Sequence, residues 1–296
     1  MTARCNEASK SARHGRYGRK MVSSGPTRHS PEGSAWTDPD LIRRRYHPHP
    51  GPRRRNIYDF RPPELDLVHR LLDHIDWNRA DRVLDAGCGL GAYFPWLRER
   101  VAERMIIGLD LIVPQLHHVA SRSPGVPLVA GDVQSMPIAS ASLDVVLNAH
   151  MLYHVPDISA AIAEFRRVLR PGGQLLAIYD SITSQSELDQ LFLDAGGTRT
   201  LNQIENRFSL ENGHEFLDPW FDSVMLHTFD GEMVVNEAQP VLDALDLSHE
   251  VAEPYLKPGI VWSDMMARAS ERVRAVIAAS GAFRLTETKA VFVCRV

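Results

Sequence analysis

Val83-Leu84-Asp85-Ala86-Gly87-Cys88-Gly89-Leu90-Gly91 reads as a buried β-strand that turns sharply into a helix. The glycines permit both the turn and a close ligand approach, because a Cβ would block the ligand or forbid the dihedrals. Working outward, apolar β runs alternate with helical patterns. Arg82 to Ala86 is the strand itself, and a helix follows through Phe94, Leu97 and Val101. Met105 to Leu109 is a second strand ending at Asp110, after which Pro114 opens a helix. Pro127 to Ala130 is a short third strand ending at Gly131-Asp132, and Leu143 to Leu147 a fourth ending near Asn148. Asp157 caps a helix whose Ile158, Ala161, Ile162, Phe165, Val168 and Leu169 share one face. Arg170-Pro171-Gly172-Gly173 stops that helix, and Gln174 to Tyr179 is a fifth strand, apolar on both faces. Such alternation implies right-handed βαβ crossovers and a mainly parallel sheet.

The flanks are less regular. An amphipathic helix is expected after Pro62-Pro63, with Leu65, Leu67, Val68, Leu71, Leu72 and Ile75 supplying its stripe. Beyond Ser181 the sequence predicts a helix at 185–195, a strand near Val224 to Phe229, and helices near 237–246 and 263–279. The last carries Met266, Ala269, Val273, Val276 and Ile277 as a core-packing stripe. Phe283 to Val296 reads as a terminal strand pair added antiparallel at the sheet edge. The fold class is therefore α/β, with residues 56–296 as one domain. Its ligand-binding half spans about 80–180, and lid or substrate elements lie at about 56–78 and 237–279.

Charged residues make up 24% and apolar ones 44% of the 296 residues, a globular profile. No uncharged apolar run approaches the roughly 18 residues of a membrane span, and the N-terminus lacks the apolar core of a secretory signal. Cys5, Cys88 and Cys294 are odd in number and far apart, which argues against a disulfide framework or a cysteine zinc site. A reducing cytoplasm and no metal are expected. The net charge of −4 hides an asymmetry: residues 1–55 hold 13 Lys and Arg against 4 Asp and Glu. This basic arm, rich in Gly, Ser, Pro and Arg, is too poor in apolar residues to build much core and reads as a solvated, disordered tail. Met21 is an alternative start site within it.

Glycines alone do not choose the ligand, since Gly87-x-Gly89-x-x-Ala92 also satisfies the dinucleotide fingerprint of a nicotinamide enzyme. Three acidic residues do. Asp85 stands at the mouth of its strand, where a carboxylate would repel a pyrophosphate and would suit an α-ammonium group, directly or through water. Asp110 follows 25 residues later at the second strand end, placed to accept from ribose hydroxyls. Asp132 ends the third strand, 22 residues further on, placed to accept from an adenine amine. S-adenosylmethionine fits the description of a ligand with an amino-acid end, a ribose and an adenine but no phosphate.

Val83 to Gly91, Gly108-Leu109-Asp110, Gly131-Asp132-Val133 and Phe165 to Gly173 resemble the class I S-adenosylmethionine-dependent methyltransferases, specifically their type 11 group. The resemblance covers about residues 80–180 in order and spacing. Phe208 to Gly213 and Phe283 to Val296 are similar to its members only loosely, and Ala139 to Ala141 departs from its pattern. It implies a Rossmann-like fold with a seven-stranded, mainly parallel sheet, an antiparallel terminal strand and a helical lid. It places Asp85 and the loop Gly87, Cys88, Gly89 and Gly91 around the methionine part, and Asp110 on the ribose. Leu111 packs on the adenine, Asp132 with the Val133 amide reads the adenine edge, and Asn148 lines the floor beside the sulfonium. Tyr58 and Arg61 would close over the cofactor carboxylate. S-adenosylhomocysteine is the implied product.

The sulfonium is an activated methyl donor, so alignment and exclusion of water are the main demands on the protein. An oxygen or ammonium acceptor must also lose a proton. Asn148 to His154 follows the fourth strand and should face the methyl, making His150, Tyr153 and His154 the candidates for base or substrate contact. The chain lacks the Asn/Asp-Pro-Pro-aromatic turn of amino-group methylation after the fourth strand, a Pro-Cys pair for pyrimidine rings, and an RNA-binding module. An acidic main body also disfavours a phosphate-binding surface. The expected acceptor is a small molecule, methylated on oxygen, nitrogen or carbon. The alternatives are a nucleic-acid methyltransferase, with the basic arm in its favour, and a non-catalytic protein that binds the cofactor. Oligomeric state is not encoded in any pattern we read.

Overall fold

The computed structural model describes residues 37–46, 55–61, 75–101, 105–202 and 207–296. Among these, the ligand-binding half alternates as expected: β1 (Arg82–Ala86), α2 (Phe94–Arg100), β2 (Met105–Asp110), α3 (Val113–Arg122), β3 (Leu128–Ala130), β4 (Leu143–Ala149), α4 (Ile158–Val168) and β5 (Leu169–Asp180). One helix precedes it, α1 (Pro39–Arg45). After it come α5 (Ser186–Ala195), α6 (Gly213–Leu217), β6 (Ser223–Val235), α7 (Ala238–Asp246), α8 (His249–Ala252), α9 (Trp262–Ser280) and β7 (Phe283–Arg295). The amphipathic helix expected after Pro62-Pro63 lies outside the described residues.

Seven strands form one sheet in the order β3-β2-β1-β4-β5-β7-β6. β1 to β5 pair in parallel, and β7 runs antiparallel to both β5 and β6. The C-terminal segment is thus one 13-residue strand inside the sheet, not a strand pair at its edge, and β6 holds the edge. The reason is length: 13 extended residues continue from the sheet body into the lid without a turn. α4 ends at Val168, but Arg170 to Gly173 already belongs to β5, with Gly172 at φ +79°.

Each face of the sheet has its own core. Leu84, Leu109 and Val146 pack with Ile162 and Phe165 of α4 on one side. Val83, Val145 and Leu147 pack with Phe94, Leu97 and Val119 of α2 and α3 on the other. A third core lies on the ends of β6 and β7. There Met233, Val235, Phe283 and Leu285 meet Phe192 of α5, Val241 of α7, and Met265, Ala269 and Val273 of α9. This layer is carried by the overhang of the two long strands, because residues 283–288 of β7 pair only with β6, past the end of β5.

The basic arm is not featureless throughout. Asp38 caps α1 by accepting from the Asp40 and Leu41 amides, Pro39 opens the helix, and Leu41 packs beside Val251 of α8 and Tyr153. The expectation of a tail without core therefore fails at 39–45, where a well-capped turn compensates for few apolar residues.

Gly213 opens α6 where a Cβ would lie 2.3 Å from the ring of fully buried Phe292. Gly213→Ala should therefore destabilise the fold by about 1–3 kcal/mol, against the gain of about 0.4–1 kcal/mol usual for such a change. A lower urea midpoint with an unchanged slope would show it.

Candidate functional site

The carboxyl ends of β1, β2 and β3 and the turns after them surround a cavity of about 220 Å³. Gly87, Gly89, Asp110, Leu111, Asp132 and Val133, all singled out from the sequence, line it. Gly87 (φ +79°) and Gly89 (φ +53°) hold left-handed backbone that L side chains rarely adopt. A Cβ on Gly87 would also lie 2.7 Å from the Met151 side chain.

The loop spends its own amides. Gly87 and Cys88 donate to the Leu109 carbonyl at 2.7 and 3.0 Å, Gly89 donates to Asp110 Oδ2 at 2.8 Å, and Gly91 to the Cys88 carbonyl. A dinucleotide site needs such donors for its pyrophosphate, so this loop suits a ligand without phosphate. Cys88 and Gly91 do not line the cavity. The Cys88 side chain is buried in the core beneath the loop, where burial raises its thiol far above the usual range. Gly91 lies against Phe94.

The three strand-end acids differ in their commitments. Asp110 accepts from Gly89 and, through Oδ1, from Ile112 at 2.8 Å, while still facing the cavity. A carboxylate has about four acceptor positions, so ribose hydroxyls still find room. Asp132 accepts from the Gln134 amide at 2.8 Å and from the Gln134 side chain at 3.1 and 3.0 Å. Gln134 in turn accepts from the Asp157 amide, which ties this turn to α4. Asp85 is 1% exposed, and its Oδ2 has no hydrogen-bond partner among the described residues. An orphaned buried carboxylate is costly unless a ligand or water completes it. Asp85 is not among the residues lining the cavity, but these carboxylates together fit S-adenosylmethionine, whose ammonium, ribose hydroxyls and adenine amine all call for acceptors.

Other candidates stand elsewhere. Asn148 is fully buried and away from the cavity, donating to the Ala86 carbonyl at 2.9 Å and accepting from the Tyr179 hydroxyl. It braces β1 against β4 and β5 instead of forming a floor. Arg61 is engaged by Glu287 through two hydrogen bonds of 2.8 and 2.5 Å, so it is not free to close on a cofactor carboxylate. Tyr58 lines a second cavity of about 580 Å³, under the lid.

His150 and Tyr46 line both cavities and so mark their junction. His150 holds φ +51° immediately after β4. Burial and nearby Lys289 push its imidazole down to about 4, so it is neutral at ordinary pH. His154 faces the cofactor cavity with Nε2 2.9 Å from the Tyr46 hydroxyl, and Tyr153 faces the second cavity. The sequence reading missed Tyr46, Gln115 and Gln134. Gln115 donates to the Tyr46 carbonyl at 2.6 Å and fastens α1 over the cofactor cavity. The available signal was the Asp38-Pro39 helix start. Among the described residues no cluster of three or more metal-ligating side chains occurs, and no helix is long and apolar enough to cross a membrane.

Residues 84–177 match the family described as a methyltransferase domain. A malonyl-[acyl-carrier protein] O-methyltransferase of Xylella fastidiosa is 34% identical over 136 residues, 44% of this chain and 46% of that protein. A phthiotriol/phenolphthiotriol dimycocerosates methyltransferase of Mycobacterium ulcerans is 31% identical, over 51% of this chain and 56% of its own. A probable S-adenosylmethionine-dependent methyltransferase of Mycolicibacterium smegmatis is 37% identical, over 47% and 53%. The chain spans about half the length of the curated relatives it matches. Among solved structures, the YcgJ protein of Bacillus subtilis shares the fold at a TM-score of 0.50 and 14% identity, over 77% of this chain and 97% of its own.

Burial, with repulsion from Asp110, raises the Asp85 carboxyl to about 8. An ammonium-bearing ligand must displace that proton at about pH 7. Binding of S-adenosylhomocysteine should therefore release a proton, read as a calorimetric heat that varies with the buffer, and Asp85→Asn should abolish the release. The unbound protein gives a second check. With the folded value raised above the unfolded 3.8, the group's stabilising contribution is full below about 4 and is lost as pH rises through about 8. Asp85→Asn should accordingly raise the melting temperature relative to wild type by an amount that grows over that window.

Proposed function

We propose that this chain, which carries a class I S-adenosylmethionine-dependent methyltransferase domain, methylates a small molecule held in the second cavity. The observation that carries this reading is the meeting of the two cavities at His150 and Tyr46. When bound, the cofactor supplies an activated methyl group. The protein's part is to hold the acceptor in line and exclude water. α1 and the turn after β4 cover the cofactor side, with Thr37, Ile42 and Tyr46 facing Met151 and His154 across the cavity. His150 is the group placed to take a proton from the acceptor.

The second cavity is suited to a compact organic molecule. Tyr58, Tyr153 and Phe208 supply aromatic surface, while Ser181, Gln185 and Asn202 supply hydrogen-bonding groups. The lid helix α7 and the turn after it contribute Asp243, Ala244, Leu247 and Ser248. A cavity of about 580 Å³ lined by these groups matches a small molecule in size. The names of the Xylella and Mycobacterium relatives, which specify acyl-carrier and lipid acceptors for those proteins, support the same class.

Incubation with isotopically labelled S-adenosylmethionine and a metabolite extract should place label in a small molecule detectable by mass spectrometry. Label recovered only in RNA, or S-adenosylhomocysteine binding with no methyl loss across a broad extract, would reverse the reading. Tyr58→Ala should leave S-adenosylhomocysteine affinity unchanged and raise the acceptor KM about three- to tenfold, the worth of one aromatic contact.

A further inference from the structure

Behind His150 lies a group of buried charges that cofactor binding does not require. Asp180, at the end of β5, sits directly across the antiparallel pair from Lys289 of β7. Lys289 Nζ lies 2.7 Å from Asp180 Oδ1 and 3.1 Å from Glu287 Oε1. Glu287 is bound by Arg61. Two cations and two carboxylates thus neutralise one another, with Lys289 and Glu287 almost wholly removed from solvent. His150 Nδ1 faces the remaining Asp180 oxygen, Oδ2, at 3.7 Å. That is ion-pair range but longer than a hydrogen bond.

We infer that His150 accepts a proton from a hydroxyl acceptor, with Asp180 as its positioning residue and Lys289 holding Asp180 in place. This deepens the methyl-transfer reading and rests on it. As the acceptor oxygen bonds to the methyl carbon, the carbon–sulfur bond breaks and its electron pair stays on sulfur. The hydroxyl proton passes to His150 Nε2, the nitrogen left basic when Nδ1–H is turned to Asp180. The imidazolium so formed then closes on Asp180 Oδ2.

Two observations and the chemistry of alkylation favour a hydroxyl. The described cations of this region are already paired: Arg55 with Glu237 at 2.5 Å, Arg61 with Glu287, and Lys289 with Asp180. None of these is left over for a carboxylate or phosphate acceptor. An ammonium acceptor must be deprotonated before it can attack, and an imidazole depressed to about 4 is too weak a base for that. A hydroxyl instead becomes strongly acidic as its oxygen is alkylated, so a weak base that rests neutral suffices.

The charged groups acting on His150 are Lys289 and Glu287 from β7, Asp180 from β5, and Arg61. The Tyr179 ring lies 6.1 Å away. Their signs give opposed expectations: Lys289 lowers the imidazole and Asp180 raises it. With labelled histidine, and His150 assigned by its loss in His150→Gln, NMR titration should place wild-type His150 at about 4. Lys289→Met should raise that midpoint by about one pH unit or more. Asp180→Asn should keep the ring neutral at pH 4. Lys289→Gln replaces Lys289→Met should the apolar variant fail to fold.

In single-turnover methylation of the extract, Asp180→Asn should slow transfer about tenfold or more and His150→Gln about 10²–10⁴-fold. S-adenosylhomocysteine affinity should be retained in both. Label should appear as a methyl ether. Unmoved titration together with an unchanged rate in Asp180→Asn would overturn the proposal, as would label on a carboxylate, nitrogen or carbon. Loss of S-adenosylhomocysteine binding in wild-type protein would instead refute the cofactor reading beneath it.

Discussion

The binding end of the sheet is organised by one carboxylate. Asp110 accepts from the Gly89 amide on the loop after β1 and from the Ile112 amide at the head of α3. A single side chain thereby fixes two loops that approach from neighbouring strands. Both amides would otherwise stand unsatisfied beside an apolar cavity, at a cost of about 1–3 kcal/mol each. The Leu109 carbonyl makes a matching junction one residue earlier by accepting from Gly87 and Cys88. The glycine turn is therefore held rigidly against β2 before any ligand arrives, and only then does its left-handed backbone have a use.

That rigidity explains what could be read directly from the sequence. From β1 to β4 each strand is short, largely apolar and followed closely by a polar residue or a glycine, and the predicted bounds fall within a few residues of the observed ones; β5 starts five residues earlier than predicted, at Leu169. The cavity-lining residues Gly87, Gly89, Asp110, Leu111, Asp132 and Val133 were legible for the same reason, since topology fixes strand ends. Asn148 was misplaced because a strand-end residue can face either way. Here its amide is consumed by Ala86 and Tyr179. Asp180 was overlooked although it is another acid at a strand tip. A single apolar run gives no sign of which antiparallel partner its end will meet.

The second half was harder to read for a different reason. β6 and β7 serve all three cores along one continuous pairing of 13 residues, so their burial patterns change midway. In Thr286-Glu287-Thr288-Lys289, alternation with charged residues resembles a solvent face. Yet Glu287 and Lys289 are buried, because the lid layer and the Ile57–Phe60 turn lie above the sheet end. α1 escaped notice because three consecutive arginines, Arg43 to Arg45, mask the contribution of Leu41 and Ile42.

The direction of β7 ties these features together. A parallel strand beside β5 would bring its carboxyl end to the binding side and send its middle residues into the sheet body. Antiparallel insertion instead sets Lys289 opposite Asp180 at the end of β5, with Glu287 two residues beyond. The same strand starts in the lid layer with Phe283 and Leu285 before it reaches this point. Gathering four charges there, with Glu287 and Lys289 buried, brings little stability, since a well-packed apolar replacement is often neutral or better. What the ion cluster does provide is placement. Through Arg61 it anchors the segment that carries Tyr58 over the second cavity, and through Asp180 it reaches His150 at the junction of the two chambers. An apolar substitute could pack equally well and would lose both connections.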